Sequence, residues 1–139
     1  MSDDELAKNY QGTVFKIVHC NGAIESYKKA LDSVPKHRHA AFTRGLIQQI
    51  KRLANGERMS KENFPAEGEL PNRKGQHVSK KFYAFKRIPL RGYCWLSESH
   101  NRTYYISHYI YKNHKKLKEV DTKTVGNNWR RIEVNNHER

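Results

Sequence analysis

With 139 residues, the chain is long enough for one domain with a buried core and too short for two ordinary domains. Its 27 lysine and arginine residues outnumber 14 acidic residues, and the net charge of +13 favours a polyanionic partner such as RNA, DNA, a ribosome or an acidic protein. The sequence lacks a long apolar run and an amphipathic helix with a cationic face, which argues against a membrane protein.

Residues 1–12 form an acidic N-terminal lead-in. This segment lacks the apolar core of a signal peptide, so we expect a cytoplasmic protein. Cys20 and Cys94 both lie in apolar, strand-like stretches. Their setting predicts buried free thiols rather than a disulfide.

The first half of the chain predicts one strand followed by two helices. Residues 13–20 are rich in β-branched and aromatic side chains and indicate a strand. Asn21 is a suitable cap for the first helix, which we expect to end before Pro35. A second helix is predicted at about 37–55, because four apolar residues lie on one stripe, namely Phe42, Leu46, Ile50 and Leu53. The two helices are expected to form an antiparallel hairpin.

The second half predicts a sheet and a final helix. Residues 56–80 combine proline and glycine with polar residues and indicate a long loop. Three strands follow at 82–87, 90–97 and 102–112, with the spacing of an antiparallel meander. Asp121 is a reasonable cap for a helix that buries Val125, Trp129 and Ile132.

This element order predicts an α+β fold, in which an N-terminal strand and a helical hairpin precede an antiparallel β-sheet and a C-terminal helix. The domain should span residues 13–135, with 136–139 as a C-terminal tail. Simple alternation along the last strand predicts one common face for five side chains, namely Tyr104, Ile106, His108, Ile110 and Lys112.

Three short stretches carry a resemblance to a known family: Phe85-Lys86-Arg87, Leu90-Arg91-Gly92-Tyr93, and the strand from Ile106 to Lys112 that runs into Lys115-Lys116. Together with the element order, they resemble the RelE/ParE superfamily of bacterial type II toxins, over residues 13–135. Similarity to the RelE and HigB branches implies a ribosome-associated mRNA endoribonuclease restrained by a cognate acidic antitoxin. It also implies a RelE-like fold and functional roles for Arg87 and Arg91. His108 and Lys112, which should share one face of the last strand, complete a predicted catalytic set of Arg87, Arg91, His108 and Lys112.

The chemistry of metal-independent RNA cleavage suits these residue types. Such a reaction needs activation of a ribose 2′-hydroxyl, stabilisation of a phosphorane-like transition state and a proton donor for the departing 5′-oxygen. Histidine, lysine and arginine can supply all three. We therefore expect no cofactor and no structural zinc, since His37, His39 and His100 lack further convergent ligands and neither cysteine is spaced for a metal site.

Further residues are predicted to bind the nucleic acid through phosphate contact or base stacking. The set comprises Lys80, Lys81, Tyr93, Tyr111, His114, Lys115 and Lys116. Tyr93 and Tyr111 adjoin Arg91 and Lys112 and are therefore the best candidates for contact with a base or ribose.

Other interpretations remain open at the level of sequence. Arg87 and Arg91 are also suited to salt bridges with Glu98 or Glu133, and His108 to a hydrogen-bonded position in the core. The lysine run is also typical of a solvated surface. Two functional alternatives accompany the ribonuclease: a ParE-like inhibitor of DNA gyrase, and a non-catalytic regulatory protein that binds nucleic acid.

Overall fold

The structure, a computed structural model, describes residues 6, 9–72, 75, 80–112 and 117–137. Within them the elements in chain order are β1 (Tyr10–Gln11), β2 (Lys16–His19), α1 (Ala23–Leu31), α2 (His39–Ala54), β3 (Ala66–Glu69), β4 (Lys81–Arg87), β5 (Leu90–Leu96), β6 (Thr103–Tyr111) and α3 (Glu119–Trp129). A 3₁₀ turn at Lys36–Arg38 precedes α2, and a π-helical turn at Arg130–Val134 continues α3.

The six strands form one mixed sheet in the order β1-β2-β6-β5-β4-β3. Neighbouring strands run antiparallel, except that β2 and β6 run parallel with Ile17 opposite Tyr104. The predicted α+β class is confirmed, but the prediction of an antiparallel sheet is wrong for this pair. Parallel neighbours need a long crossover connection, and the elements between β2 and β6 provide it.

Helices α1 and α2 cover one face of the sheet. The predicted stripe of α2 is buried, and α1 buries Ala23, Tyr27, Ala30 and Leu31 at helical spacing. Both helices pack on a set of sheet residues that includes Ile17, Phe85, Ile106 and Tyr109. A hydrogen bond of 2.7 Å between the hydroxyl groups of Tyr27 and Thr43 joins the two helices.

Helix α3 covers the opposite face. Val125, Trp129 and Ile132 are buried there, as predicted, against Phe82, Tyr93, Trp95 and Tyr105. The carboxylate of Glu133 accepts hydrogen bonds from the Ser97 hydroxyl at 2.7 Å and from the backbone N–H groups of Glu98 and Ser99 at 2.6 and 3.0 Å. Glu133 therefore fastens the end of this layer to the turn between β5 and β6.

Both helix caps differ from the sequence prediction. Gly22, rather than Asn21, is the N-cap of α1, and its φ of 88° is a conformation that glycine adopts without strain. Helix α3 begins at Glu119 after Lys118, so Asp121 lies within the first turn and is buried rather than capping the helix. Its carboxylate is instead available to the sheet.

The two short edge strands were missed by the sequence prediction. Strand β3 lies inside the segment predicted as a long loop and pairs with β4, while β1 lies in the predicted lead-in and pairs with β2. Strand β1 has only two residues, and β3 contains no β-branched or aromatic residue, so neither carries the signal by which strands are recognised. Cys20 and Cys94 are both buried and free, as expected.

Candidate nucleic-acid interface

Five ionisable side chains lie close together on the α3 face of the sheet, near the start of β5 and the end of β6. We refer to them as the Arg91 cluster: Glu67, Arg91, His108, Lys112 and Asp121. Three of them were predicted from the sequence as catalytic residues. The sheet brings these three together because Arg91 lies opposite Ile110 and Tyr93 lies opposite His108 in the antiparallel pairing of β5 with β6.

A β-bulge in β6 decides which side chains face this cluster. Tyr93 pairs with His108, but the next residue, Cys94, pairs with Ile106, so Ser107 is the extra residue. As a result, Tyr104 and Ile106 pack against the α1 and α2 layer, whereas His108 and Ile110 face α3. The predicted common face of five residues is therefore wrong, although His108 and Lys112 do share a side.

Arg91 is held by a salt bridge to Glu67 of β3. The two side chains are only 10% and 11% exposed, so solvent screens the pair weakly. The sequence had suggested Glu98 or Glu133 as the salt-bridge partner of Arg91, but Glu67 is the partner. Glu98 pairs with Lys80 at 3.0 Å, and Glu133 accepts a hydrogen bond from the Ser97 hydroxyl. A phosphate that bound Arg91 would compete with the Glu67 carboxylate.

His108 lies in a chain of hydrogen bonds between β6 and α3. Its Nε2 is 3.1 Å from Oδ1 of Asp121, and its Nδ1 is 2.8 Å from the Ser107 hydroxyl, which in turn accepts a hydrogen bond of 2.8 Å from Asn128. Burial lowers the pKa of His108 below 6.5, while the hydrogen bond and the charge of Asp121 oppose that change. The ring is therefore held at both nitrogens, and burial favours its neutral form.

Lys112 is the most unusual member of the Arg91 cluster. The residue is only 4% exposed, and its Nζ has no hydrogen-bond partner among the residues that the structure describes. Burial lowers the pKa of this lysine below 10.5, and the positive charge of Arg91 lowers it further, whereas Glu67 acts in the opposite direction. A lysine with a lowered pKa exchanges protons more readily near neutral pH.

Arg87, the fourth predicted catalytic residue, lies on the other face of the sheet. In the β4–β5 ladder Lys86 is opposite Arg91, whereas Arg87 is opposite Leu90 and extends towards α2. Its guanidinium carbon is 5.8 Å from the centre of the Phe42 ring. The structure therefore does not bring Arg87 into the Arg91 cluster.

The residues predicted to bind nucleic acid have very different surroundings. Tyr93 is fully buried, with its ring 5.2 Å from that of His108, so its face is closed to a base in this conformation. Tyr111 is 42% exposed, and Lys80 and Lys81 are exposed. His114, Lys115 and Lys116 lie outside the described residues.

Sequence reasoning missed the two carboxylates of the Arg91 cluster. Glu67 lies in the polar run Ala66–Glu69, where only the pairing of β3 with β4 brings it to Arg91. Asp121 was interpreted as a helix cap, and its position one helical turn before Val125 was the signal that its side chain faces the sheet. Both depend on contacts between residues distant in sequence.

Comparison with protein-family models, with curated proteins and with solved structures finds no match to this chain. Among the described residues, no helix is both long enough and apolar enough to cross a membrane. The same part of the chain contains no group of three or more histidine, cysteine, aspartate or glutamate side chains arranged to hold a metal ion. The Arg91 cluster and the net charge of +13 are therefore the features of the molecule that bear on its function.

Proposed function

We propose that this protein is the toxin of a type II toxin–antitoxin pair, a metal-independent endoribonuclease of the RelE kind that acts on ribosome-bound mRNA in the cytoplasm. The observation that carries this proposal is the Lys112 ammonium, buried without a hydrogen-bond partner among the described residues beside Arg91. An unpaired buried cation is costly, and a phosphate would compensate it. The net charge of +13 favours the same polyanionic ligand.

The proposed mechanism divides the chemistry between two cations, Arg91 and Lys112, and the neutral imidazole of His108. Arg91 stabilises the charge on the phosphorane-like transition state, because a guanidinium stays protonated and donates two parallel hydrogen bonds. As the P–O5′ bond breaks, the Lys112 ammonium donates a proton to the departing 5′-oxygen. The neutral imidazole of His108 takes the proton of the attacking ribose 2′-hydroxyl as the new bond to phosphorus forms, which leaves a 2′,3′-cyclic phosphate. The RNA phosphate displaces the Glu67 carboxylate from Arg91, which frees the guanidinium for the reaction.

His108 is the second group suited to proton transfer. Asp121 orients its ring, and burial keeps the imidazole neutral at pH values where a base is needed. Because one ring nitrogen is close to Asp121 and the other to Ser107, His108 must break one of these contacts to reach a substrate. Lys112 has no such contact among the described residues, so its ammonium can reach the departing oxygen without breaking one.

Single-turnover cleavage of ribosome-bound mRNA tests this proposal. Arg91→Ala should reduce the rate by about ten- to a thousandfold while substrate binding falls much less, as expected for loss of one transition-state donor. Lys112→Ala should also lose catalysis, and Lys112→Arg should not restore it fully. Lys123→Ala removes an exposed lysine of α3 and is the matched control. Variants of Arg91 and Lys112 that fold, bind and cleave like the parent would refute the catalytic assignment.

A non-catalytic function is the second candidate, and it is favoured by the carboxylate partners that already occupy two members of the Arg91 cluster. Arg91 and His108 are each already paired with a carboxylate, as in a structural network. A ParE-like gyrase inhibitor or a regulatory nucleic-acid-binding protein needs no catalytic set. Supercoiling by purified DNA gyrase in the presence of the protein, measured alongside mRNA cleavage, separates these functions from the ribonuclease.

The proposed toxin requires a restraining partner. We expect an acidic antitoxin whose carboxylates neutralise part of the charge. Because Arg87 lies on the opposite face of the sheet from Arg91 and Lys112, the antitoxin would have to extend around the turn between β4 and β5 to cover all three. Such complementarity raises the association rate and makes it sensitive to salt. Association that is independent of salt at low ionic strength would exclude this electrostatic account.

A further inference from the structure

A second basic site lies on the face of the sheet opposite the Arg91 cluster. There an open cleft of about 590 Å³ is bounded by the start of α2, the end of β4 and residues 62–63. Its charged lining residues are Arg38, Glu62, Lys86 and Arg87. The cleft is within the range of volumes that bind small molecules or a nucleotide. We call it the Arg87 cleft.

Two arginines of this cleft are arranged around one aromatic ring. The guanidinium carbons of Arg38 and Arg87 are 4.9 and 5.8 Å from the centre of the Phe42 ring. Phe42 itself is only 6% exposed, so the ring supports the arginines and is not a free platform for stacking a base. Cation–π contacts restrict the two side chains before any ligand arrives.

Gly45 lies on α2 about one turn after Phe42, and the Arg87 side chain occupies the space beside it. A Cβ atom at this position would collide with the guanidinium group of Arg87. The guanidinium is therefore packed directly on the helix backbone. The position of Arg87 depends on the absence of a side chain at residue 45.

The charge of the Arg87 cleft is incompletely neutralised. Within the described part of the chain, neither Arg38 nor Arg87 forms a salt bridge with a carboxylate. The first turn of α2 contains no acidic residue, so the positive end of the helix dipole adds to the charge of Arg38. Glu62 is the single carboxylate in the lining.

We propose that the Arg87 cleft binds a backbone phosphate of single-stranded RNA, as a contact separate from the Arg91 cluster. The identity of the ligand rests on the function proposed above, whereas the capacity to bind a phosphate rests on the cleft alone. Two preorganised guanidinium groups suit phosphate oxygens, which accept two parallel hydrogen bonds from each fork.

Lys86 explains why a polynucleotide fits better than an acidic peptide. It lies opposite Arg91 in the β4–β5 ladder and also lines the Arg87 cleft. Lys86 therefore adjoins both sites, close to the turn between β4 and β5. A strand with one charge at every nucleotide can pass around this turn and place one phosphate at each site.

The test is the affinity of a fluorescent, single-stranded 2′-O-methyl RNA, which binds but cannot be cleaved. Arg38→Ala and Arg87→Ala should each weaken binding by about tenfold. Each should also reduce the slope of log affinity against log salt by about 0.7, the value for one single-strand phosphate contact. Arg44→Ala removes the same charge from an exposed position of α2 and should have a much smaller effect.

Gly45→Ala separates geometry from charge, because it displaces the Arg87 guanidinium and leaves the net charge unchanged. We expect it to weaken binding in the same direction as Arg87→Ala, while circular dichroism remains that of the parent. Equal affinities for the Arg38→Ala, Arg87→Ala and Arg44→Ala variants would overturn the proposal. Binding of an acidic peptide that depends on Arg38 and Arg87, together with oligonucleotide binding that does not, would also overturn the proposal.

The outcome is independent of catalysis. A protein that binds the oligonucleotide through Arg38 and Arg87 but leaves mRNA uncut retains the Arg87 cleft and loses the proposed ribonuclease function. A protein whose cleavage depends on Arg91 but whose affinity is unaffected by Arg38→Ala and Arg87→Ala retains the ribonuclease function and loses the cleft.

Discussion

Arg87 and Arg91 belong to the two strands of one hairpin, yet their side chains leave the sheet on opposite faces. Arg91 meets Glu67 on the face covered by α3, and Arg87 rests on Phe42 and Gly45 of α2. The ladder between β4 and β5 causes the separation, since Lys86, not Arg87, is the residue opposite Arg91. The two arginines therefore serve two different sites.

Replacing Lys112 by methionine should stabilise the protein and abolish RNA cleavage. Methionine removes a buried ammonium without a hydrogen-bond partner among the described residues, which should raise the free energy of unfolding by about 1–2 kcal/mol. Urea denaturation measures this change, and Lys123→Met is the matched exposed control. A loss of stability in Lys112→Met relative to that control would contradict the assignment of an uncompensated charge.

The same lysine predicts a pH dependence. The pKa of Lys112 is lowered in the folded state, so above this pKa the unfolded chain binds more protons than the folded protein. The free energy of unfolding of the parent should therefore rise relative to that of Lys112→Met as the pH increases towards about 10.4, the ordinary lysine pKa. Denaturation of both proteins across this range, with Lys123→Met again as control, checks the sign.

His19 predicts a loss of stability in acid. Its Nε2 is 2.7 Å from the Tyr109 hydroxyl, and burial lowers the pKa of the imidazole from 6.5 to about 4. Between pH 6.5 and about pH 4 the imidazole is protonated in the unfolded chain but not in the folded protein. The free energy of unfolding should therefore decrease by up to about 3 kcal/mol as the pH falls through this range. His19→Gln should lack this part of the decrease.

Denaturation of the parent and of His19→Gln at several pH values isolates the effect of His19. His108 has a lowered pKa too, but it titrates in both proteins and cancels in the difference. Parallel stability curves for the two proteins between about pH 6.5 and pH 4 would show that His19 does not titrate as expected.

Removing the Glu133 carboxylate should detach the end of the α3 layer. Glu133→Ala leaves the Ser97 hydroxyl and the N–H groups of Glu98 and Ser99 without their acceptor, and should cost about 2–4 kcal/mol of unfolding free energy. Glu57→Ala, at an exposed loop position, is the control. Chemical denaturation that gives the same small change for both variants would exclude an anchoring role for Glu133.

Glu67→Gln should free Arg91 for a phosphate. The amide no longer competes as an anion, so RNA affinity should increase, while loss of the salt bridge destabilises the fold by about 1–3 kcal/mol. Glu69→Gln makes the same change at an exposed position of β3. Binding of the 2′-O-methyl RNA that is tighter for Glu69→Gln than for Glu67→Gln would contradict this competition.

The periodicity of apolar residues was sufficient to predict most of the fold. Phe42, Leu46, Ile50 and Leu53 mark α2, and Val125, Trp129 and Ile132 mark the buried side of α3, because burial against a sheet requires one apolar stripe. The positions of Pro89 and of the polar turn at 98–101 located β4, β5 and β6 to within a few residues. Strands β1 and β3 were missed, because they pair at the sheet edges through backbone hydrogen bonds, which any residue except proline can donate.

The arrangement of the site was decided by tertiary structure. Alternation along a strand predicts faces only while the register is regular, and the bulge at Ser107 reverses the side on which Tyr104 and Ile106 lie relative to His108. Glu67 reaches Arg91 only because β3 pairs with β4, and Asp121 reaches His108 only because α3 packs on β6. Net charge and residue types can be read from the sequence alone. Which carboxylate pairs with which cation depends on contacts between segments distant in sequence, and local sequence patterns do not specify those contacts.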